Sequence, residues 1–256
     1  MKSIYFEGDI LKIGLIKVLS KFSKKAYHSK VSPIKFKTFE DPKLPKEDWV
    51  RVKNIETGIC GSDMTFYTCA QGPSTAFLPI PCSKITYLGH ETVGEVVEVG
   101  SNVKNFKVGD RVCMNKYMAC CNLKGYDKQD ECEMCKAGNY ADCENYGEPS
   151  KVNIYAGAGM GDSYLAPEGQ LLSVEGLTDD EAVLIEPFAV SLHAALKRVP
   201  KEGEKVLVVG AGMIGLGLIQ FLKILQPKCK VYVMERNPNK HEFAKKLGAD
   251  EILVGE

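Results

Sequence analysis

"EKVLVVGAGMIGLGLIQFLKIL", residues 204–225, joins an apolar strand to an apolar helix through a glycine-rich turn. Gly210, Gly212 and Gly215 have the spacing G-x-G-x-x-G, a weak signal unless a strand precedes it and a helix follows it. Both conditions are met here. Gly210 permits a tight turn, Gly212 lets the backbone approach a pyrophosphate, and Gly215 lets helix and strand pack closely. The sequence therefore predicts a dinucleotide-binding turn.

The residues that follow the turn extend this prediction. Free N–H groups at the start of the helix, those of Met213 and Ile214 among them, predict a phosphate site. Glu235 ends the next strand, about twenty residues on, where an acid binds a ribose 2′-hydroxyl and repels a 2′-phosphate. NAD is therefore favoured over NADP, with Arg236 keeping NADP as the alternative. A glycine turn without a ligand is opposed by the complete strand–turn–helix–strand–acid order.

The pattern of elements changes along the chain. After residue 199, strands and helices alternate, which predicts a parallel, doubly wound α/β unit over 199–256. Before it, short strands broken by Pro, Gly and Asp predict a barrel-like β region within 1–198. The segment "TDDEAVLIEPFAVSLHAALKR" is predicted to be helical, with Thr178 as its N-cap and a break around Pro187. We place the domain boundary near Val199.

Composition limits the class of protein. The chain has 256 residues, 45% hydrophobic content and equal numbers of basic and acidic residues, 33 of each. These values indicate a globular protein with no nucleic-acid footprint. The sequence contains no apolar run long enough to span a bilayer and no signal-peptide pattern, so a cytoplasmic protein without membrane partners is expected.

The N-terminal segment "DILKIGLIKVLSKFSKKAYHSK" is predicted to be a basic amphipathic helix, with Leu11, Leu15, Val18 and Phe22 along one stripe. Such a helix can lie on a membrane surface. Packing of the stripe against its own domain, with the lysines in water, is the favoured alternative.

A cluster of cysteines predicts a metal site near residues 120–143. Cys132, Cys135 and Cys143 form C-x2-C-x7-C on a segment rich in turn residues. The strongest reason to gather such thiolates is tetrahedral zinc, which needs a fourth donor, either Cys120 or the favoured Cys121. Four protein ligands leave no open position, so this zinc is expected to be structural. Free or oxidisable thiols are the alternative.

A second group is dispersed along the chain. Cys60 lies in "GICGSD", His90 and Glu91 in "LGHET", and Glu186 in "VLIEPFAVSLHAAL". Each alone has a structural explanation, as a buried thiol, a core histidine or a helix-terminal carboxylate. Together they offer the ligand types of a zinc that keeps one position open.

The order of these motifs resembles that of the zinc-dependent medium-chain dehydrogenases. The motifs are "GICGSD", "GHETVGEVVEVG", "GDRV", the cysteine lobe, "IEPFAVSLHAAL" and "VLVVGAGMIGLG", and the resemblance runs from about Pro33 to the last residue. It is closest to the polyol and sugar branch. It implies a GroES-like β-barrel catalytic domain, a Rossmann domain, zinc, NAD and a small alcohol, polyol or sugar as substrate.

The resemblance also implies roles for individual residues. Cys60 and His90 match ligands of the catalytic zinc, and Glu91 matches a carboxylate that ligates zinc in some members. Glu186 is expected to serve the zinc as a ligand or through a water. Ser62 matches a proton-relay position at which the substrate's proton is accepted while hydride passes to the nicotinamide, and Asp63 is expected to hold His90.

The sequence departs from the family pattern in three places. Thr65 stands where the relay often has a histidine, and Gln129 stands where a compact C-x2-C-x2-C-x7-C would begin. The chain also ends at Glu256, after the third Rossmann strand, so the Rossmann domain is expected to be incomplete and the chain a fragment or a truncated product. A homo-oligomer is expected only of a completed chain.

Two other classes of protein compete with the zinc- and NAD-dependent dehydrogenase. One is a non-catalytic nucleotide-binding or regulatory chain that retains two zinc sites. The other is a zinc-free quinone reductase, which is opposed by the joint presence of Cys60, His90 and Glu186.

Overall fold

The computed structural model describes residues 1–70, 85–115, 119–120, 124–146, 148, 150–152 and 157–254. By their internal contacts these residues form two compact units, Met1–Val183 and Leu184–Glu256. The division lies earlier in the chain than the boundary predicted near Val199. The helix at 185–197 belongs to the second unit because its Ser191 hydroxyl donates to the Ile214 carbonyl oxygen at 3.0 Å.

The first unit contains eight described strands and four described helices. In chain order they are β1 (Lys2–Glu7), α1 (Ile10–Phe22), β2 (Ile34–Thr38), β3 (Trp49–Thr57), α2 (Gly61–Thr68), β4 (Ile85–Tyr87), β5 (Thr92–Val99), β6 (Arg111–Met114), α3 (Glu133–Lys136), β7 (Ser163–Pro167), β8 (Leu171–Ser173) and α4 (Asp179–Ala182). Short 3₁₀ turns lie at Lys24–His28, Lys128–Asp130, Tyr140–Asp142 and Glu168–Gln170.

An antiparallel sheet of five strands, in the order β7-β3-β5-β6-β8, forms the body of the first unit. Its inward valines, Val50, Val52, Val96 and Val112, are fully buried and pack together with Tyr164. Alternation of such β-branched residues with polar ones is what a half-buried strand requires. The sheet confirms the β-rich architecture predicted for this part of the chain.

The register of β3 against β5 brings two loops together. The pairing shifts twice, between Arg51 and Val52 and between Asn54 and Glu56, and it ends at the pair Thr57–Thr92. Such irregularities bend a strand and redirect its end. The segment after β3 therefore runs beside the segment that leads into β5.

The second unit contains α5 (Ile185–Lys197), β9 (Lys205–Val209), α6 (Met213–Leu225), β10 (Lys230–Met234), α7 (His241–Lys246) and β11 (Glu251–Leu253), with a 3₁₀ turn at Pro238–Lys240. The three strands are parallel, in the order β11-β10-β9. Buried Val208, Val231, Val233 and Ile219 form its core. The predicted parallel α/β arrangement is confirmed over these residues.

The predicted helical segment that begins after Thr178 forms two helices, α4 and α5. Thr178 caps α4: its hydroxyl accepts the Glu181 N–H at 3.3 Å, and the Glu181 carboxylate accepts the Thr178 N–H at 2.8 Å. The break falls at Val183–Leu184, before the predicted position. Pro187 lies in the first turn of α5, where its missing N–H costs little.

The predicted packing face of α1 was wrong. Leu11 and Phe22 are 84% exposed, whereas Ile13 and Ile16, on the opposite side of the helix, are buried against Phe6 and its neighbours. The helix itself is confirmed, and the Asp9 carboxylate caps it by accepting the N–H groups of its first turn. Among the described residues, none of the helices combines the length and the apolar character that crossing a membrane requires.

Candidate metal centres and nucleotide-binding turn

Asp63 ties together the two segments that carry the dispersed ligands. Cys60 immediately precedes α2, and its N–H donates to Asp63 Oδ2 at 3.0 Å. The other oxygen, Oδ1, accepts the N–H of Gly89 at 3.1 Å. Asp63 is only 5% exposed, so both bonds are made in a water-poor environment where they fix geometry well. The carboxylate thus sets the distance between the Cys60 and His90 segments.

The His90 ring lies near the same carboxylate. Its Nδ1 is 4.0 Å from Asp63 Oδ1, which is longer than a hydrogen bond. In this structure Asp63 therefore holds the backbone beside His90, at Gly89, and approaches the ring without bonding to it. A direct Asp63–His90 hydrogen bond stays a prediction for the metal-loaded protein.

Glu91 is positioned by a glycine that sequence analysis missed. The Glu91 carbonyl oxygen accepts the Gly58 N–H at 2.7 Å and the Thr57 hydroxyl at 3.1 Å. A Cβ at Gly58 would lie 2.2 Å from Glu91 Oε2, far inside van der Waals contact. A side chain at position 58 would therefore force the Glu91 carboxylate to move from this place. The signal is visible in the sequence only as the first glycine of "GICGSD".

One ligand atom each from Cys60, His90 and Glu91 lies within 4.8 Å of the others. Donors around a tetrahedral zinc, at bond lengths of about 2.0–2.3 Å, are separated by about 3.5 Å, so small rotations suffice to bind one. A thiolate, an imidazole and a carboxylate form a donor set suited to zinc. Three ligands leave one tetrahedral position open. The residues therefore fit a catalytic type of zinc centre.

Ser62 and Glu186, which are also expected at this centre, lie in different units of the structure. Ser62 is exposed in the first turn of α2, two residues from Cys60. Glu186 lies in the first turn of α5, in the second unit. Its expected service to the zinc stays a prediction.

Four cysteines gather in a second group. One ligand atom each from Cys120, Cys132, Cys135 and Cys143 lies within 4.8 Å of the others. The Cys143 sulfur is 3.6 Å from that of Cys120 and 4.0 Å from that of Cys132. Sulfurs around a tetrahedral zinc, with bonds of about 2.3 Å, are separated by about 3.7 Å, whereas a disulfide requires about 2.0 Å. The residues fit a closed, four-thiolate zinc.

The sequence leaves open whether Cys120 or Cys121 supplies the fourth sulfur of this group. The structure brings in Cys120, whose sulfur also accepts the Asn145 side-chain N–H at 3.2 Å. Cys121, the favoured candidate, lies outside the described residues.

The thiols of the four-cysteine group differ in how readily they ionise. Burial raises the pKa of the Cys132 thiol, but hydrogen bonds from the backbone N–H groups of Cys135 and Glu144 and from neighbouring thiols outweigh it and lower the pKa to about 6. Burial raises the pKa of both Cys135 and Cys143. One thiolate therefore forms readily and its neighbours resist ionisation. Zinc supplies the positive charge that makes four thiolates compatible.

The glycine-rich turn in the second unit joins β9 to α6. Gly210 follows β9 with φ of +92°, a conformation that favours glycine. A Cβ at Gly215 would lie 2.0 Å from the Gly210 carbonyl oxygen, so this glycine permits the close approach of α6 to β9. Nothing lies within 4 Å of a Cβ at Gly212, which leaves open space at the start of α6. Met213 and Ile214 open that helix and are exposed.

Glu235 reaches back to this turn from the end of β10. Its Oε2 accepts the Ala211 N–H at 2.8 Å and its Oε1 accepts the Asn237 N–H at 2.8 Å. These hydrogen bonds, that from Asn237 first, lower the pKa of Glu235 below its usual range, so the carboxylate is charged at neutral pH. Arg236, next to it, is exposed. A negative charge thus stands at the turn, and its binding to a ribose stays a prediction.

Comparison with protein families identifies the first unit. The model of the alcohol dehydrogenase GroES-like domain matches residues 46–176. The chain belongs to the zinc-type medium-chain alcohol dehydrogenase family. The matched residues include its five-stranded sheet and both candidate metal groups.

Two proteins similar to this chain are named as dehydrogenases. L-Galactonate-5-dehydrogenase of Escherichia coli K12 is 33% identical over 199 residues, which are 78% of this chain and 52% of that protein. Sorbitol dehydrogenase of Bacillus subtilis 168 is 32% identical over 220 residues, 86% of this chain and 58% of that protein.

A solved relative agrees in fold. The crystal structure of 2R,3R-butanediol dehydrogenase from Bacillus subtilis superposes with a TM-score of 0.67 at 31% identity, covering 86% of this chain and 59% of that one. The chain therefore spans about half the length of the curated relatives it matches.

Proposed function

We propose that this protein is a zinc-dependent oxidoreductase that transfers a hydride between NAD and a secondary alcohol, polyol or sugar. The observation that carries the proposal is the convergence of Cys60, His90 and Glu91 within 4.8 Å. Such a donor set holds zinc with one position left for a substrate oxygen. The names of the relatives support the substrate class.

The first unit supplies the means to bind and deprotonate an alcohol. When bound, zinc supplies the Lewis-acid chemistry that lowers the pKa of a substrate hydroxyl. Ser62, exposed beside Cys60, is the proposed acceptor of that proton. The Thr65 hydroxyl already donates to the Gly61 carbonyl oxygen at 2.9 Å, so it is engaged by the helix backbone. The proton therefore passes from Ser62 to solvent by a route that does not need Thr65.

Glu186 has a proposed role at the same centre. Its carboxylate stands in an apolar run of the sequence, at a position that the family resemblance assigns to the metal. We assign it to the zinc, either through a water at the open position or as a ligand in place of Glu91, so that three protein ligands still leave one position open. Asp63 serves as a positioning residue, because it fixes the backbone on both sides of the ligand set.

The second unit supplies the cofactor site. Gly210, Gly212 and Gly215 form the pyrophosphate turn in this proposal, with the N–H groups of Met213 and Ile214 toward the phosphates. Glu235 gives the preference for NAD over NADP. A cytoplasmic setting belongs to the same proposal, since free thiolates for zinc require a reducing compartment.

The function is tested by NAD reduction with a panel of polyols, sugars and threonine. We expect kcat/KM on the best substrate to fall by about a hundredfold or more in His90→Ala, because the substrate's proton is then lost without Lewis-acid help. His28→Ala is the control, since His28 is exposed and its Nε2 lies 2.9 Å from the Tyr67 hydroxyl, which belongs to neither metal group. Undiminished turnover by His90→Ala contradicts the proposal. Zinc and NAD binding without turnover on any alcohol favours the non-catalytic alternative.

A further inference from the structure

Helix α1 presents an apolar stripe to solvent that neither metal group nor the cofactor turn explains. Its buried side is narrow, with Ile13 and Ile16 packed on the domain. The other side carries large apolar side chains between 38% and 84% exposed: Ile10, Leu11, Leu15, Val18, Leu19 and Phe22. Exposed apolar residues gathered on one helix face mark an interaction surface.

The charge along the helix and directly after it has one sign, whereas Glu7 and Asp9, which pair with Lys12, precede its first residue. Residues 10–30 contain six lysines and neither Asp nor Glu, although the whole chain has 33 residues of each charge. At 100° per residue, Lys17 and Lys21 lie along one border of the stripe. Lys24 and Lys25 follow directly at its C-terminal end and are exposed. An apolar stripe bordered by lysines is complementary to a surface with an apolar interior and anionic groups at its boundary with water.

We propose that α1 docks this protein on membranes that contain anionic phospholipid, with the helix lying in the plane of the interface. Its 13 residues extend about 20 Å, short of the ~30 Å hydrocarbon core, so the helix lies on the bilayer and does not cross it. The leucines and Phe22 enter the boundary between headgroups and acyl chains. The lysines reach the anionic headgroups while their stems cover apolar surface.

The same charges oppose a second copy of this chain as the occupant. In a two-fold dimer each patch meets itself. That arrangement brings two lysine-rich borders together, and like charges repel. An acidic protein remains as a different class of partner, and the experiment below separates it from lipid.

The test is sedimentation of the full chain with vesicles. Phosphatidylcholine vesicles with about 30 mol% phosphatidylserine are compared with vesicles of phosphatidylcholine alone. We expect partitioning into the anionic vesicles to be at least about tenfold stronger and to weaken with added salt. Leu11→Ser with Phe22→Ser, and separately Lys21→Gln with Lys25→Gln, should each weaken it by about tenfold.

Matched controls keep the test specific to α1. Val108→Ser with Leu172→Ser removes two apolar side chains that are 58% and 50% exposed elsewhere, and Lys43→Gln with Lys104→Gln removes two exposed lysines. Both controls should bind anionic vesicles like the parent chain. All variants should keep the parent's melting temperature, because the altered side chains are exposed.

Three results overturn the proposal. The first is absent binding to anionic vesicles, or equal binding to neutral ones. The second is a concentration-dependent dimer that Leu11→Ser with Phe22→Ser abolishes, which assigns the stripe to a second copy. The third is vesicle and polyglutamate binding that both depend on Lys21 and Lys25 but not on the apolar pair, which assigns the surface to an acidic partner.

Discussion

Gly58 shows how a residue without a side chain can determine a ligand set. Its N–H donates to the Glu91 carbonyl oxygen, and its missing Cβ makes room for the Glu91 carboxylate. In Gly58→Ala that carboxylate must move, so we expect the affinity of the Cys60 centre for zinc to fall by about 10- to 100-fold, the usual cost of disturbing a residue that orients a ligand. Competition with a chromophoric chelator measures it.

Gly61→Ala is the matched control for this prediction. Gly61 lies in the same loop-to-helix segment, and nothing lies within 4 Å of a Cβ built there. Zinc affinity should therefore be unchanged in Gly61→Ala. If both variants bind zinc like the parent, Glu91 is not held against Gly58 in solution.

Cys120 and Cys121 differ in what their loss should do. The sulfur of Cys120 lies in the four-cysteine group, so Cys120→Ser should lose one zinc per chain and lower the melting temperature, since a structural zinc contributes to folding. Cys121→Ser should keep the metal. Elemental analysis with thermal unfolding checks both variants. The reverse outcome would assign the fourth ligand to Cys121.

Residue types and spacing predict ligand chemistry better than they predict which neighbour makes the contact. Cys60, His90 and Glu91 could be named from the sequence because few other roles suit those types in that order. Gly58 could not, because the space it leaves depends on where Glu91 points. The choice between two adjacent cysteines depends on the direction of one backbone segment, which composition does not encode.

At the scale of elements, Asp250 links the start of β11 to α6 and to β10 in the second unit. Its Oδ2 accepts the Val231 N–H at 2.7 Å and Lys223 Nζ at 2.7 Å, and its Oδ1 accepts Lys230 Nζ at 3.2 Å. Burial favours the neutral acid, but these bonds outweigh burial and lower the pKa of Asp250 from 3.8 to about 2. The stabilisation is therefore complete above pH 4 and is lost as the pH falls through about 2.

Asp250→Asn should destabilise the second unit by roughly 1–2 kcal/mol at pH 7, because it weakens two ion pairs and one charge-assisted hydrogen bond. The difference from the parent should shrink between pH 4 and pH 2. Urea unfolding at several pH values measures it. Glu242→Gln, at an exposed pair with Lys246, is the control and should change stability little. A pH-independent difference would show that charge is not the cause.

Glu235 tests the cofactor preference at the junction of β10 and the glycine-rich turn. Its carboxylate already accepts the Ala211 N–H, so it stands where an adenosine ribose is proposed to bind. Glu235→Ala should weaken NAD binding by about tenfold, the scale of one charge-assisted hydrogen bond, and should leave NADP unchanged or improved. Calorimetric titration with both cofactors measures the ratio, with Glu251→Ala as control. An unchanged ratio contradicts the assignment.

Helix α1 shows where a periodic pattern stops being informative. The 3.6-residue period predicts the helix, but the sequence offers two apolar faces and favours burial of the wider one. The structure buries the narrower face, Ile13 and Ile16, because those side chains meet Phe6 and Leu88. Which face packs depends on the surface available on the domain, and a helix wheel does not contain that surface.

For the whole molecule, motif order predicts a β-rich part followed by an α/β part, and helix α5 shows why the boundary between them is harder to predict. Helix α5 follows α4 after a two-residue break, so the sequence joins it to the first unit. Its contacts join it to the second, since the Ser191 hydroxyl bonds to α6 and a Cβ at Gly217 would lie 2.7 Å from Ser191 Oγ. A helix at a domain boundary belongs to the unit whose core it packs against. For α5, the close contacts of Ser191 and Gly217 decide this.

The two metal centres of the first unit should respond differently when metal is withdrawn. We expect about two zinc ions per chain, one held by four thiolates in a closed site and one by three ligands with an open position. A chelator can enter the open coordination position directly, so dialysis should remove about one zinc quickly and the second slowly.

The melting temperature should depend mainly on the zinc that is released slowly. The segment 124–146 has only the single turn of α3 and two short 3₁₀ turns as regular structure, and its small core consists largely of the cysteines themselves with Ala119 and two tyrosines. Loss of the second zinc should therefore lower the melting temperature steeply, while loss of the first changes it little. His90→Ala should show only the slow release and Cys135→Ser only the fast one. Simultaneous release, or a melting temperature that falls with the first zinc, would mean that the centres are not divided into an open and a closed one.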